Sequence, residues 1–295
     1  CVFTYNESTH SGGALAIAGN DSSLPPRVHN NLFMGNKAGR DGGAIVLTDN
    51  SEPNVINCSV VFNQATGTGF DGQGRGGGLS VTAGSRATIA NSLIWGNTAY
   101  AGPQMSLVDP NGGSAYQLSY ATVKYSMVQG GQSGIATPPG GFLIYEASNI
   151  QTGTPGFLYD NINEPDQFVE YYGLADDSPC VDSGNIDMDA FDLSAQPVLP
   201  LGRYAYTIRA DEARDTGMID IGYHRRKVGE YPVGDVDYSG VVDILDLAVM
   251  IEYRLGKVCE YPDWCEGTDI DKSGLVTDTD IALLAQLYGA GDVTA

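Results

Sequence analysis

Four short apolar runs in the first hundred residues each end at an asparagine, namely Asn6, Asn36, Asn63 and Asn97. The residue three positions before each asparagine is always apolar, and the residue five positions before it is small or polar. The asparagines are spaced by 30, 27 and 34 residues. This pattern predicts one such strand in every repeat, with the repeats stacked because no single repeat can bury its apolar face alone.

A glycine-rich turn and a second apolar strand follow each asparagine, at 12–17, 42–47, 76–81 and 102–107. Glycine and asparagine suit the bends because both tolerate left-handed backbone conformations. Asparagines from successive coils can also hydrogen-bond along the stack. A β-sandwich with regular turns is the alternative, but the fixed asparagine offsets favour a mainly β solenoid.

The repeat resembles that of bacterial right-handed parallel β-helix proteins of the polymorphic outer-membrane-protein type, over residues 1–131 with a weaker fifth coil at 125–131. The resemblance implies a parallel β-helix for this part. The stretches 178–184 and 215–224 resemble segments that follow such helices. We therefore interpret 132–228 as an irregular cap that covers the C-terminal end of the solenoid.

The chain starts with Cys1 at the second position of a coil, without a capping element. An open solenoid end exposes strand edges and apolar surface. We therefore expect the chain to be a fragment of a longer secreted precursor, or its open end to be covered by another subunit.

Two twelve-residue segments, 235–246 and 269–280, place oxygen-bearing side chains at positions 1, 3, 5, 9 and 12 and glycine at position 6. This is the spacing of an EF-hand calcium loop, with Asp in place of the usual Glu at position 12 and a backbone carbonyl at position 7. The predicted ligands of the first Ca²⁺ are Asp235, Asp237, Ser239, Asp243 and Asp246 with the carbonyl of Val241. Those of the second Ca²⁺ are Asp269, Asp271, Ser273, Thr277 and Asp280 with the carbonyl of Leu275. Thr277 is expected to act weakly or through water.

Each loop leads into a predicted amphipathic helix, and no helix precedes the first loop. The apolar faces are predicted to hold Ile244, Leu247, Ile251 and Leu255 in the first helix and Ile281, Leu284 and Tyr288 in the second. This duplicated loop–helix pattern, over 234–289, resembles a type I dockerin. The resemblance implies a small α-helical module at 229–295 that folds on calcium and docks onto a cohesin domain.

The recognition positions that the dockerin resemblance implies are loop positions 10 and 11. They hold Ile244 and Leu245 in the first loop and Asp278 and Thr279 in the second. Because the two pairs differ, we do not expect two equivalent binding faces.

The linker between the two helices contains Cys259 and Cys265, which could close a small disulfide ring in an oxidising compartment. Cys1 and Cys58 occupy the same coil position two coils apart, which is too far for a disulfide. These two and Cys180 are expected to be small buried residues.

The net charge of −21 over 295 residues is unevenly distributed along the chain. Residues 1–128 carry a net charge of −1, whereas residues 229–295 carry −11. Such acidity argues against binding to nucleic acids or anionic membranes, and no run approaches the ~20 apolar residues of a membrane helix. The concentration of acidic residues in 229–295 fits metal ligation.

The solenoid strands contain few carboxylates, which argues against a glycosidase-type pair of acids. Arg40 and Asp41, before a Gly-Gly strand, are expected to form a solvated turn pair. One more acidic cluster could hold a hard cation, although it lacks the loop glycine and a solvated acidic loop is the alternative. Its members are Asn185, Asp187, Asp189 and Asp192.

The sequence thus predicts an extracellular or cell-surface structural or adhesive protein, attached through its calcium module to a cohesin-like domain or to another copy of itself. Two alternatives are a dockerin-borne enzyme acting on polysaccharides and a protomer of a filament in which one subunit caps the next. The small number of carboxylates in the solenoid strands argues against an enzyme. Polysaccharide is a further candidate ligand of the protein.

Overall fold

The computed structural model describes residues 1–19, 25–69, 74–108, 118–137, 139, 141–157, 174–175, 177–185, 206–207, 219–223, 225–226, 233–236, 241–253 and 268–289. These residues fall into two compact units. The first unit holds the described residues up to 185 together with 219–223, and the second holds 206–207, 225–226 and the described residues from 233 onward.

The first unit is a parallel β-solenoid of about four turns, in which each coil adds one strand to each of three sheets. Sheet 1 contains β1 (Val2–Thr4), β5 (Leu32–Met34), β9 (Ser59–Val61), β13 (Leu93–Trp95) and β16 (Met127–Val128). Sheet 2 contains β3 (Leu15–Ala18), β7 (Ile45–Thr48), β11 (Leu79–Thr82), β14 (Met105–Val108) and β17 (Ile135–Ala136). Sheet 3 contains β4 (Arg27–His29), β8 (Asn54–Ile56), β12 (Arg86–Ala90), β15 (Ser119–Lys124) and β18 (Gly141–Tyr145). A short sheet contains β2 (Glu7–Ser8), β6 (Lys37–Ala38) and β10 (Gln64–Ala65).

Every pairing within these four sheets is parallel, so equivalent residues of successive coils stack in columns. Phe3 pairs with Phe33, Phe33 with Val60, and Val60 with Ile94. The rings of Phe3 and Phe33 are stacked with centroids 4.8 Å apart. These columns form one continuous apolar core inside the coil, which confirms the predicted parallel solenoid.

The repeated asparagines form a buried ladder inside the solenoid. Asn6, Asn36 and Asn63 each donate from the backbone N–H and from Nδ2 to Oδ1 of the asparagine in the next coil, at 2.8–3.0 Å. Asn97 Nδ2 donates to Gln104 Oε1 at 2.9 Å, and Gln104 Nε2 donates to Gln129 Oε1 at 3.0 Å. The ladder therefore satisfies polar groups that would be costly to bury unpaired.

The Gly-Gly pairs are required where one coil closely approaches the next. Gly42 has φ +67°, in the left-handed region that favours glycine. A Cβ on Gly43 would collide with the carbonyl oxygen of Gly77 in the following coil. The turn before β7 thus depends on both glycines for different reasons.

Described residues of the segment predicted as a cap lie against the outer face of sheet 1. Leu174, Cys180 and Ile221 are buried there and belong to one apolar cluster with outward-facing residues of sheet 1, among them Leu93 and Met127. The backbone N–H of Tyr223 donates to Ser59 Oγ at 2.9 Å. Strands β17 and β18 continue sheets 2 and 3 past residue 131, into the segment predicted as the cap. The predicted limits of the solenoid, the cap and the C-terminal module stay predictions.

The expectation for Asp41 is wrong, because its side chain is buried and joins two coils. Its Oδ1 accepts hydrogen bonds from the backbone N–H groups of Gly74, at 3.0 Å, and Arg75, at 2.9 Å. Burial raises the pKa of this carboxyl group. The turn therefore uses Asp41 as a structural acceptor rather than as a solvated charge.

Cys1, Cys58 and Cys180 are free thiols. Cys58 and Cys180 are buried as expected, and burial raises the pKa of each thiol to about 12. The expectation for Cys1 is wrong: it is exposed, because β1 is the outermost described strand of sheet 1. Cys259 and Cys265 lie outside the described residues, so their disulfide stays a prediction.

The second unit contains an antiparallel pair, β19 (Tyr206–Thr207) and β20 (Arg225–Arg226), and two helices, α1 (Ile244–Tyr253) and α2 (Asp278–Leu287). Its small core is formed by Val242, Met250, Val276 and Leu284, which are all buried. No described helix is long and apolar enough to cross a membrane.

Candidate metal centre

The second acidic loop brings three carboxylates together immediately before α2. Asp269, Asp271 and Asp280 each offer an oxygen, and these oxygens all lie within 4.8 Å of one another. Asp269 and Asp280 are buried, whereas Asp271 is exposed. The arrangement leaves one side of the site open to solvent.

Backbone N–H groups hold Asp269 in place within this loop. Its Oδ1 accepts from Ser273 N at 3.0 Å, and its Oδ2 accepts from Gly274 N at 2.8 Å. Lys272 and Gly274 have φ values of +58° and +94°. The chain can make this sharp turn because glycine stands at loop position 6.

Asp280 orients the loop from the first turn of α2. Thr277 is the N-cap: its Oγ1 accepts from Thr279 N at 3.2 Å, and its own N–H donates to Asp280 Oδ2 at 2.8 Å. Asp271 N donates to Asp280 Oδ1 at 3.1 Å. Burial opposes ionisation of Asp280, but these hydrogen bonds outweigh it and lower the pKa of the carboxyl group.

The first acidic loop repeats this geometry where it is described. Asp246 accepts from Val236 N and from Asp243 N, both at 2.7 Å, and Leu245 N donates to Asp243 Oδ1 at 2.7 Å. Asp235 and Asp246 are buried. Asp237 and Ser239 lie outside the described residues.

Where both are described, the two loops share hydrogen bonds around position 12 as well as their sequence spacing. In both, position 9 donates its N–H to the position 12 carboxylate, and position 11 donates its N–H to the position 9 side chain. The residues at position 8, Val242 and Val276, both enter the small core. The repeat predicted from sequence is thus a structural repeat of loop and helix.

The donor set of the second loop fits a hard divalent cation such as Ca²⁺. Three carboxylates converge there, and in the same loop the Ser273 hydroxyl donates a hydrogen bond to the Leu275 carbonyl at 3.1 Å. Within the described part of the chain, none of the three carboxylates forms an ion pair with Lys or Arg. Because like charges this close repel one another, a bound cation would neutralise them, and oxygen ligands suit calcium.

The predicted recognition residues are all at the surface. Ile244 and Leu245, at the start of α1, are 60% and 40% exposed, and Asp278 and Thr279, at the start of α2, are exposed. Ile251 is also 53% exposed. The two helix starts therefore present different chemistry to solvent.

The predicted apolar face of α1 is partly wrong. Leu247 packs on the core, but Ile244 and Ile251 face solvent, and Met250 is the buried apolar residue of the described helix. Leu255 lies outside the described residues. In α2, Leu284 is buried and Ile281 packs beside it, whereas Tyr288 is 63% exposed. Met250 and Leu284 occupy the same place in the two repeats, which the sequence alignment of the two loops would have revealed.

The weaker acidic cluster is only partly described. Asn185 exchanges two hydrogen bonds with Asn91: its N–H donates to Asn91 Oδ1 at 2.9 Å, and its carbonyl accepts from Asn91 Nδ2 at 3.0 Å. Asp187, Asp189 and Asp192 lie outside the described residues. Asn185 therefore has a structural partner on the solenoid, and a metal site there stays a prediction.

Comparison with known proteins supports the assignment of the C-terminal module. The family model of the dockerin type I domain matches residues 233–287. No curated protein and no solved structure matches the chain. The chain thus combines a dockerin type I domain with a parallel β-solenoid. Dockerin domains bind calcium and bind cohesin domains.

Proposed function

We propose that this protein is an extracellular structural or adhesive β-solenoid that is held in a larger assembly through its dockerin domain. The observation that carries the proposal is the pair of equivalent acidic loops at 235–246 and 269–280, which lies within the residues matched by the family model. Dockerin domains act in calcium-dependent protein–protein assembly, and dockerin proteins are typically extracellular or on the cell surface.

Two Ca²⁺ ions fit the module, one for each loop. The first ion would be held by Asp235, Asp237, Ser239, the carbonyl of Val241, Asp243 and Asp246. The second would be held by Asp269, Asp271, Ser273, the carbonyl of Leu275, Thr277 and Asp280. Each loop is continuous with a helix that packs into the shared core, so each ion would stabilise the fold of the whole module.

The protein partner docks through the exposed start of α1. Ile244, Leu245 and Ile251 offer three exposed apolar side chains on one helix. The equivalent positions of α2 hold Asp278, Thr279 and Ala285, which are exposed but polar or small. Because apolar residues that are desolvated at the centre of an interface contribute most to binding, the α1 side is favoured and a single docking orientation follows.

Calorimetric titration with purified type I cohesin domains tests this proposal. The whole chain is titrated in calcium and again in excess chelator. Binding to at least one cohesin in calcium, and none in chelator, is the expected result. Binding that persists unchanged in chelator would contradict calcium-dependent docking.

Two matched double variants test the choice of face. Ile244→Asp with Leu245→Asp should abolish cohesin binding, whereas Asp278→Ala with Thr279→Ala should leave it unchanged. Equal losses for the two double variants would show that both helix starts contact the partner. Circular dichroism in calcium confirms that each variant is folded.

A further inference from the structure

A groove of about 420 Å³ lies on the outer face of the short sheet, far in sequence from the calcium loops. It is lined by Glu7, Ser8, Thr9, Lys37, Gly39 and Thr66. Its lining is thus one carboxylate, one ammonium group, three hydroxyls and a glycine. Neither the solenoid core nor the dockerin domain accounts for it.

Glu7 and Lys37 of the lining belong to a row of exposed polar side chains that runs along the solenoid axis and continues past the groove. Glu7 pairs with Lys37, Lys37 with Gln64, and Gln64 with Thr98. All four side chains are exposed. The row therefore offers polar groups at the spacing of neighbouring strands, about 4.8 Å.

A second row of the lining is formed by Thr9, Gly39 and Thr66, which come two residues after Glu7, Lys37 and Gln64 in their coils. Gly39 is required because a Cβ there would collide with the carbonyl oxygen of Thr9, and its missing side chain leaves a gap between Thr9 and Thr66. Tyr100, two residues after Thr98, lies outside the groove lining with its ring close to Gly69, and it is 72% exposed.

The charges of the lining compensate each other. Lys37 Nζ lies 3.6 Å from Glu7 Oε1, and the other members of the two rows are uncharged. An anionic ligand would need an excess of cationic groups, which the two rows do not provide. Hydroxyls and an amide instead suit a neutral ligand that both donates and accepts hydrogen bonds.

The exposed Tyr100 ring adds an apolar surface with a polar end, which is suited to a ligand with both apolar faces and hydroxyl groups. We propose that this groove binds a neutral, linear polysaccharide laid along the solenoid axis. Repeated sugar units match repeated hydrogen-bonding groups along the two rows, and the tyrosine ring stacks on one sugar. This site is independent of the dockerin and of calcium.

Affinity electrophoresis of the whole chain tests the proposal. Gels contain hydroxyethylcellulose, arabinoxylan or galactomannan as neutral probes, or polygalacturonate as an anionic probe. We expect at least one neutral polysaccharide to retard the protein, equally in calcium and in chelator. Retardation by none of the neutral probes, or by polygalacturonate alone, would overturn the proposal without affecting the proposed docking function.

Substitutions of exposed residues test where on the solenoid the polysaccharide binds. Tyr100→Ala and Gln64→Ala should each weaken the retardation by about ten-fold, as truncation of a central contact does. The matched controls Tyr288→Ala and Gln132→Ala remove exposed side chains elsewhere and should leave it unchanged. Gln64 and Tyr100 lie where the polysaccharide would extend past the groove lining. Retardation that survives both Tyr100→Ala and Gln64→Ala would overturn the assignment, and thermal melting checks that all four variants are folded.

Discussion

The solenoid and the dockerin domain both bury a polar residue that recurs in each repeat, but the polar groups of that residue are satisfied in different ways. In the solenoid the residue is asparagine, and each amide satisfies the amide of the next coil. In the dockerin domain it is aspartate, and Asp246 and Asp280 bring buried carboxylates to equivalent places in two loops. The comparison teaches that the amide ladder is satisfied within the protein, whereas we expect the clustered carboxylates to require a bound cation.

The two regions also differ in how much apolar core supports these polar groups. The core of the solenoid runs through every coil, from Phe3 to Val128. Among its described residues, the apolar cluster of the dockerin domain contains Val242, Met250, Val276 and Leu284 as buried members, with a few partly buried neighbours. Because small cores contribute little stability by themselves, we expect the dockerin domain to depend on bound metal far more than the solenoid does.

The largest expected effect of a single substitution comes from breaking the ladder. Asn63→Ala removes the Oδ1 that accepts two hydrogen bonds from Asn36, and the Nδ2 that donates to Asn97 Oδ1 and to the Phe33 carbonyl. Since each unsatisfied buried group costs about 1–3 kcal/mol, the solenoid should lose about 3–5 kcal/mol of unfolding free energy. Denaturant unfolding measures this loss.

The exposed neighbour Gln64 provides the control for this substitution. Gln64→Ala should change the unfolding free energy by less than about 0.5 kcal/mol. A similarly small effect of Asn63→Ala would show that the ladder does not support the coil.

The second largest expected effect is on the stabilisation of the dockerin domain by calcium. Asp280→Ala removes a buried carboxylate of the second loop and the acceptor of two backbone N–H groups. Calcium at 100 times its dissociation constant should stabilise the native dockerin domain by about 2.7 kcal/mol, and this variant should lose most of that gain. Thermal melting of the whole chain with and without calcium measures the difference.

Asp278→Ala is the matched control, because Asp278 is exposed and belongs to the same turn of α2. It should keep the full stabilisation by calcium. If both variants respond to calcium as the unaltered chain does, Asp280 is not a ligand.

A third, smaller effect concerns Thr277, which is the N-cap of α2 and also a proposed weak ligand of the second Ca²⁺. Thr277→Ala removes the N-cap side chain of α2, which should lower the stability of the dockerin domain by about 1 kcal/mol in saturating calcium. Thr279→Ala keeps its backbone N–H and should have little effect. Equal melting temperatures for the two variants would contradict the capping role.

The smallest effect tests how the solenoid tolerates a buried charge. Because burial raises the pKa of Asp41, this group favours the folded state below its unfolded pKa and loses that contribution as pH rises through the folded pKa. Asp41→Asn keeps an acceptor for Gly74 and Arg75 and removes the charge. The variant should therefore lack this decline in solenoid stability between acidic and neutral pH, as melting over that range can show.

The sequence predicts most where one residue repeats at a fixed place. The asparagine spacing predicted both the coil and the ladder, and the aspartate spacing predicted both calcium loops. It failed at Asp41, Ile244 and Ile251, because their exposure depends on which neighbouring coil or helix packs beside them. The attachment of residues 174–185 to sheet 1 was not predicted, since that segment has no periodic pattern.

The groove on the short sheet is another feature that could not be predicted directly from the sequence. Glu7, Lys37 and Gln64 are unremarkable polar residues along the chain, and only the parallel register places them in one row. Their alignment depends on the coil lengths of 30 and 27 residues between the ladder asparagines. The sequence contains this information, but only after the register of the coils is known.

Differential scanning calorimetry of the whole chain, in calcium and in excess chelator, tests the central difference between the two regions most directly. We expect two transitions in calcium, of which chelator removes or strongly lowers the one that belongs to the dockerin domain and leaves that of the solenoid in place. Asp280→Ala should reproduce the chelator trace with calcium present. A trace that chelator does not change would contradict a calcium-dependent dockerin domain carried by a metal-independent solenoid.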